Sequence, residues 1–133
     1  MHHHAYSYTG RSYSDGAIRK GEAPSNYPPI EIRHWLNRPA SQIVATFTDA
    51  EAALAWLRAE MQDQPPKDEA EYSVEDRLRG ARTTLAQSAG NDVVLGYYLV
   101  GGQVFVSRAV IACPRRERLP AGEAPIRCPQ NRP

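Results

Sequence analysis

Apolar residues recur at helical spacing in two stretches of the chain, and each stretch carries a capping signal. In the first, Thr48 and Glu51 match the capping-box pattern, and Pro65-Pro66 prevents the helix from continuing far beyond residue 62. Its apolar face consists of Ala50, Ala53, Leu54, Leu57 and Met61. The second stretch begins at Ser73, a favourable N-cap residue. Its apolar stripe consists of Val74, Leu78, Ala81, Leu85 and Ala89.

A β-hairpin is predicted in the second half of the chain. Residues 93–100 and 103–112 are rich in β-branched and aromatic side chains, which favour strands. Gly101-Gly102 lies between them, and both glycines can adopt the positive φ of a two-residue type I′ turn. The resulting register pairs Tyr98 with Phe105, Tyr97 with Val106 and Leu95 with Arg108.

The two faces of this hairpin differ in character. The core face consists of Val93, Leu95, Tyr97, Leu99, Val104, Val106 and Val110. The opposite face carries Tyr98 and Phe105 with two further valines, which makes it too apolar for a fully wet surface. We expect it to meet the N-terminal segment, another chain or a ligand.

An earlier hairpin completes the predicted sheet. Residues 30–36 alternate in a strand-like manner, residues 37–40 supply a turn, and residues 42–47 (QIVATF) follow as a second strand. The order β-β-α-α-β-β predicts an α+β fold, with a mostly antiparallel four-stranded sheet and two helices packed on one face.

Three segments follow from this pattern. Residues 1–29 are interpreted as an arm, since their tyrosines show no sustained period and Pro24, Pro28 and Pro29 disfavour regular structure. Residues 30–113 form the single domain. Residues 114–133, rich in Pro and Arg, are expected to be an extended tail.

The composition adds little about function. At 133 residues the chain fits one domain. It has no apolar run of about 20 residues and no signal-peptide pattern, so we expect no membrane partner and a cytoplasmic location, or secretion if a signal peptide has been replaced. All but two of the 16 basic residues are Arg, which indicates a GC-rich bacterial genome.

Histidine and cysteine offer little metal chemistry on this interpretation. Met1-His2-His3-His4 resembles the remnant of a purification tag, which is favoured over the alternative of a native metal-binding tract, so these histidines are assigned no function. Cys113 and Cys128 could form a disulfide or remain reduced thiols. Zinc would need two further ligands, and only His34 and carboxylates remain. We therefore expect no metal site and no cofactor.

His34 is the candidate general acid or base, because histidine is the side chain whose charge ordinarily changes near physiological pH. Arg33, Tyr97 and Arg108 are its predicted companions, since residues on strands hold fixed geometry. The alternative is a strand histidine with a structural role.

Basic residues cluster near the end of the chain. Arg115, Arg116 and Arg118 could contact nucleic-acid phosphates. The sequence pI of about 7.8 is well below that of a dedicated nucleic-acid domain.

Three functions remain open, in this order. The first is a non-catalytic binding or accessory protein, working as a homo-oligomer or with a protein partner through a sheet surface at Tyr98, Phe105 and Trp35. The second is a small cofactor-independent enzyme that acts on a small molecule through His34. The third is nucleic-acid binding through the basic tail.

Overall fold

The computed structural model describes residues 1–115 and 118–131 and shows an α+β fold built on one antiparallel sheet. The strands are β1 (His2–Gly10), β2 (Ala45–Phe47), β3 (Val93–Tyr98) and β4 (Phe105–Cys113), in the spatial order β2-β1-β4-β3. The helices are α1 (Asp15–Arg19), α2 (Ala50–Asp63) and α3 (Val74–Gln87). Short 3-10 turns span Ile32–Asn37, Ala40–Gln42 and Pro129–Asn131. The predicted fold class is confirmed.

Both predicted helices are present, with small differences at their ends. The N-cap of α2 is Asp49 rather than Thr48, and its carboxylate accepts the Ala52 N–H at 2.8 Å. Ser73 caps α3 in a complete capping box with Asp76. The apolar faces of α2 and α3 pack together with Val93, Tyr97, Val106 and Val110 of the sheet. None of the helices among the described residues is long and apolar enough to cross a bilayer.

The hairpin of β3 and β4 has the predicted register, with all three predicted pairs present. Both tip glycines have positive φ, +100° at Gly101 and +75° at Gly102. The turn itself differs from type I′ at Gly101-Gly102, because the Gly102 N–H donates to the Leu99 carbonyl at 2.9 Å. The tight turn therefore spans residues 99–102.

The predicted strand at residues 30–36 is wrong. This segment contains the 3-10 turn Ile32–Asn37, which buries the adjacent residues Trp35 and Leu36 together. A strand would point two adjacent side chains to opposite faces, whereas a helical turn can place both against the sheet. The second predicted strand is shortened to β2 at its C-terminal end.

The interpretation of residues 1–29 as an arm without regular structure is wrong for residues 2–10. These residues form β1, which lies between β2 and β4 and pairs with β4 from His2 opposite Cys113 to Gly10 opposite Phe105. Such a strand is covered on both faces, so it need not alternate between polar and apolar residues. The disfavouring prolines come only after this strand.

The sheet face opposite α2 and α3, here called the tail face, has a different cover. Its core consists of Tyr6, Trp35, Leu36, Ala109, Ile111 and Cys113, packed against Ile43, Ile126 and Cys128. The covering residues come from the 3-10 turns and from the tail after β4. No long helix contributes to this cluster.

Candidate metal centre

Four side chains with soft donor atoms converge at one end of the tail face. His2, His4, Cys113 and Cys128 each present one nitrogen or sulfur atom, and all four atoms lie within 4.8 Å of one another. Two imidazoles and two thiols are the donor set of a structural zinc site.

The pleat of the sheet explains how three of these residues meet. Side chains two positions apart on a strand share a face, so His2 and His4 point to the same side of β1. Cys113 lies directly opposite His2 on β4, and directly opposite residues on one face of a sheet are close neighbours. Cys128 arrives from the tail, just before the last 3-10 turn. The site thus joins three segments of the chain.

Three of the six distances between the donor atoms are close to the edges of a zinc tetrahedron. Bonds of about 2.05 Å to nitrogen and about 2.3 Å to sulfur give edges of about 3.3 Å for N···N and about 3.6 Å for N···S. The two histidine Nε2 atoms lie 3.1 Å apart. Cys128 Sγ lies 3.4 Å from Nε2 of His4 and 3.6 Å from Nε2 of His2. The distances that involve the Cys113 sulfur are bounded at 4.8 Å, so a contraction of about 1 Å or less would complete the tetrahedron around one ion.

Thr46 orients the buried histidine. His4 pairs with Thr46 across β1 and β2, and its Nδ1 lies 2.9 Å from the threonine hydroxyl. When Nδ1 carries the proton and donates it to this oxygen, the lone pair of Nε2 faces the cluster. Metal-binding histidines commonly have such a partner on the second ring nitrogen.

Burial sets the charge states of the free ligands. His4 is completely buried, and this desolvation, with the neighbouring histidines, lowers its pKa to about 4. Burial and the nearby Cys128 raise the pKa of Cys113 to about 12. A divalent cation with two thiolates and two neutral imidazoles has zero net charge, which suits a buried site.

Ion pairs hold the segments that carry the two cysteines. After β4, Arg115 contacts both carboxylate oxygens of Asp92, at 2.6 and 2.8 Å, and Asp92 also accepts the Ala112 N–H. In the tail, Glu123 accepts hydrogen bonds from Arg33 at 3.0 and 3.2 Å. The protein therefore positions both sides of the cluster independently of any ion.

The predicted catalytic group does not assemble. His34 Nε2 lies 2.9 Å from Glu123, and Arg33 binds the same carboxylate. Tyr97 belongs to the core under α2 and α3, and Arg108 binds Glu60 there at 3.1 Å. His34 instead lies in the 3-10 turn Ile32–Asn37. Its neighbour in the chain, Trp35, is buried in the tail-face core.

The position of His34 can be compared with three cavities that described residues line. The largest of three cavities lined by described residues has a volume of about 380 Å³ and lies between the N-terminal segment and the 3-10 turns. His34 lines none of the three. Its role as an acid or base remains a prediction.

The predicted binding residues are largely engaged within the chain. Trp35 is buried and stacks on Tyr6, with ring centroids 4.7 Å apart. The ring centroid of Phe105 lies 5.5 Å from that of Tyr98 and 6.3 Å from that of Tyr27. Tyr27 belongs to the N-terminal segment, one of the three covers expected for this face.

The basic residues and the cysteines have mixed outcomes. Arg115 is paired with Asp92, Arg118 is exposed, and Arg116 lies outside the described residues. Cys113 and Cys128 are both free thiols rather than a disulfide. Nucleic-acid binding by the tail remains a prediction.

Comparison with protein-family models, with curated proteins and with solved structures finds no match. The site therefore stands on its own geometry. The sequence interpretation does not identify this cluster, because it treats His2 and His4 as part of a tag remnant. Their His-x-His spacing, which puts both rings on one face of a strand, was the available signal. The two cysteines complete the four ligands that zinc requires.

Proposed function

We propose that this protein binds one Zn²⁺ through Nε2 of His2, Nε2 of His4 and the sulfurs of Cys113 and Cys128. The observation that carries the proposal is the convergence of these four atoms within 4.8 Å on a buried face of the sheet. Thiolate and imidazole ligands in a tetrahedron favour zinc over magnesium or calcium, which take oxygen ligands.

The zinc site has a structural role. Four protein ligands fill a tetrahedron and leave no position for water or substrate, whereas catalytic zinc sites keep one position open. The ion would connect the beginning of β1, the end of β4 and the tail around Cys128. Such a link stabilises the folded state, because the unfolded chain offers no preformed site. This role fits a protein that is not an enzyme.

The test is metal analysis of the full chain and of matched variants. We expect one zinc per chain after exposure to zinc and removal of the excess by gel filtration. His4→Gln and Cys128→Ser should each lose tight binding. When Co²⁺ is added in place of zinc, the bound ion should show the visible absorption of a tetrahedral thiolate complex.

His3→Gln is the matched control for these variants. His3 is a neighbour on the same strand, but it points to the other face, where its Nε2 lies 3.0 Å from the Asn91 carbonyl. Zinc content should stay at one in this variant. Equal zinc content in His3→Gln and His4→Gln, or no zinc in the unmodified chain, would contradict the proposal.

The wider role that we propose is a non-catalytic binding protein that works with a second copy of itself. What supports it is β3, an edge strand of the sheet with no charged residue. Val94 is 41% exposed on this strand. The Tyr98 carbonyl at the end of β3 already accepts the Lys67 N–H at 2.8 Å, and the rest of an uncharged edge strand can pair with another strand.

Light scattering across a range of concentrations tests this pairing. A dimer that Val94→Lys converts to a monomer would support it, because charge on an edge strand opposes pairing. A monomer at every concentration would contradict it. The zinc proposal does not depend on this result.

A further inference from the structure

We infer that the zinc site is also a redox switch, in which hydrogen peroxide joins Cys113 and Cys128 in a disulfide and releases the ion. This inference rests on the proposed zinc binding. Its starting observation is that the site places both thiols of the described chain beside each other, within 4.8 Å.

The two cysteines differ in a way that suits this reaction. Cys113 is fully buried at the end of β4, where it is paired with His2 of β1. Cys128 is half-buried and lies in the irregular tail. Both sulfurs are buried within the cluster, and motion of the irregular tail can expose the Cys128 sulfur to peroxide and carry it toward the fixed Cys113 sulfur. Closing the gap to the disulfide length of about 2.05 Å takes less than about 3 Å of motion.

The reaction balances with peroxide as the only oxidant. The Cys128 thiolate attacks one peroxide oxygen, the O–O bond breaks, and the departing hydroxide takes a proton from solvent to become water. The Cys113 thiolate then attacks the sulfenic sulfur, the S–S bond forms, and a second hydroxide leaves and is protonated. Two thiolates lose two electrons in total, and one peroxide becomes two waters.

Zinc is released because disulfide formation removes its two thiolate ligands. The sulfurs of a disulfide carry no negative charge, and the thiolate is the form of cysteine that binds metal. Only His2 and His4 would remain. His3 cannot replace a lost ligand, since it lies on the other face of β1 and contacts Asn91.

The tail stays attached in both states. In the reduced form the ion links Cys128 to the sheet, and in the oxidised form a covalent bond does so. Other tail contacts, such as Ile126 in the tail-face core, can then persist. Oxidation should therefore release the metal without unfolding the protein, and a thiol reductant with zinc should restore the first state.

The experiment treats the zinc-loaded full chain with a small excess of hydrogen peroxide. Metal analysis before treatment establishes whether zinc is bound, so failure of the zinc proposal is detected separately. We then expect release of about one zinc per chain to a colorimetric chelator. Intact mass should fall by two hydrogens relative to the reduced apoprotein, and peptide mapping should find Cys113 linked to Cys128.

One control variant and a reversal complete the test. His3→Gln, which is expected to bind zinc, should behave like the unmodified chain. Dithiothreitol and zinc should restore metal content in both. A zinc-loaded protein that keeps its metal in peroxide, or that loses it only with sulfinic or sulfonic acids on single cysteines, would overturn the inference while leaving zinc binding intact.

Discussion

The two faces of the sheet are held by different means. On the helix face, α2 and α3 bury a continuous apolar core that includes fully buried Leu57 and Met61. On the tail face, short turns and an irregular tail cover the strands, and a cluster of histidines and cysteines lies at one end. Regular helices can bury a face by packing alone. Irregular segments bury less and gain from a cross-link, as small domains with little core do.

Removal of zinc should produce the largest difference between the two faces of the sheet. A free zinc concentration 1,000-fold above Kd stabilises the folded state by about 4 kcal/mol. We expect chelation to raise hydrogen exchange at the beginning of β1 and in the tail, with α2 and α3 largely protected. Cys113→Ser should reproduce this pattern. Equal loss of protection on both faces, or none, would contradict the division.

Paired leucine truncations should separate the faces. Leu57 lies in α2 and Leu36 in a 3-10 turn of the tail face, and both are fully buried. Each change to Ala should cost about 2–5 kcal/mol of unfolding free energy. Only Leu36→Ala should also weaken zinc binding, because it loosens the tail-face core. Chemical denaturation and zinc titration measure the two effects, and equal zinc affinities in the two variants would count against the account.

Loss of the Thr46 hydroxyl should weaken the site without removing a ligand. Thr46→Val leaves Nδ1 of His4 without its partner, so zinc affinity should fall about 10–100-fold. Competition with a chelator of known affinity measures the change. Thr83→Val is the control, since this exposed helical threonine donates only to the Arg79 carbonyl. Unchanged affinity in Thr46→Val would show that the contact does not orient the ring.

The smallest expected effect concerns the tail contact at Glu123. Hydrogen bonds from Arg33, with His34, hold the pKa of the Glu123 carboxyl below its ordinary value of 4.5. A lowered folded pKa stabilises the protein above that ordinary value, and the benefit is lost as pH falls through the lowered pKa. Glu123→Gln should therefore lower Tm slightly at neutral pH, with the difference vanishing in acid. Thermal unfolding of the metal-free proteins would test this, and a constant difference would contradict it.

Local periodicity explains what the sequence could predict. The capping box at Ser73 and the register of Tyr98 with Phe105 depend on residues close together in the chain, and both are present. The 3-10 turn at Ile32–Asn37 is a different case. Its alternating pattern also suits a strand, and only the burial of Trp35 beside Leu36 distinguishes the two.

The candidate site depends on contacts that no local pattern contains. His2 and Cys113 are opposite neighbours in the sheet although more than 100 residues separate them. Their proximity follows from the position of β1 beside β4, and the sequence pattern predicts no strand at residues 2–10. If His2 and His4 are treated as part of a tag, the two cysteines have too few further ligands for a zinc site. The sequence contains the His-x-His spacing and the two cysteines. It does not indicate the strand β1, which places both histidines on one face of the sheet.

X-ray absorption spectroscopy of the zinc-loaded full chain tests the central claim most directly. The site predicts two nitrogen ligands at about 2.0–2.1 Å and two sulfur ligands at about 2.3 Å around each ion. His3→Gln should leave this shell unchanged. A shell of nitrogen and oxygen alone in the unmodified protein would contradict the account.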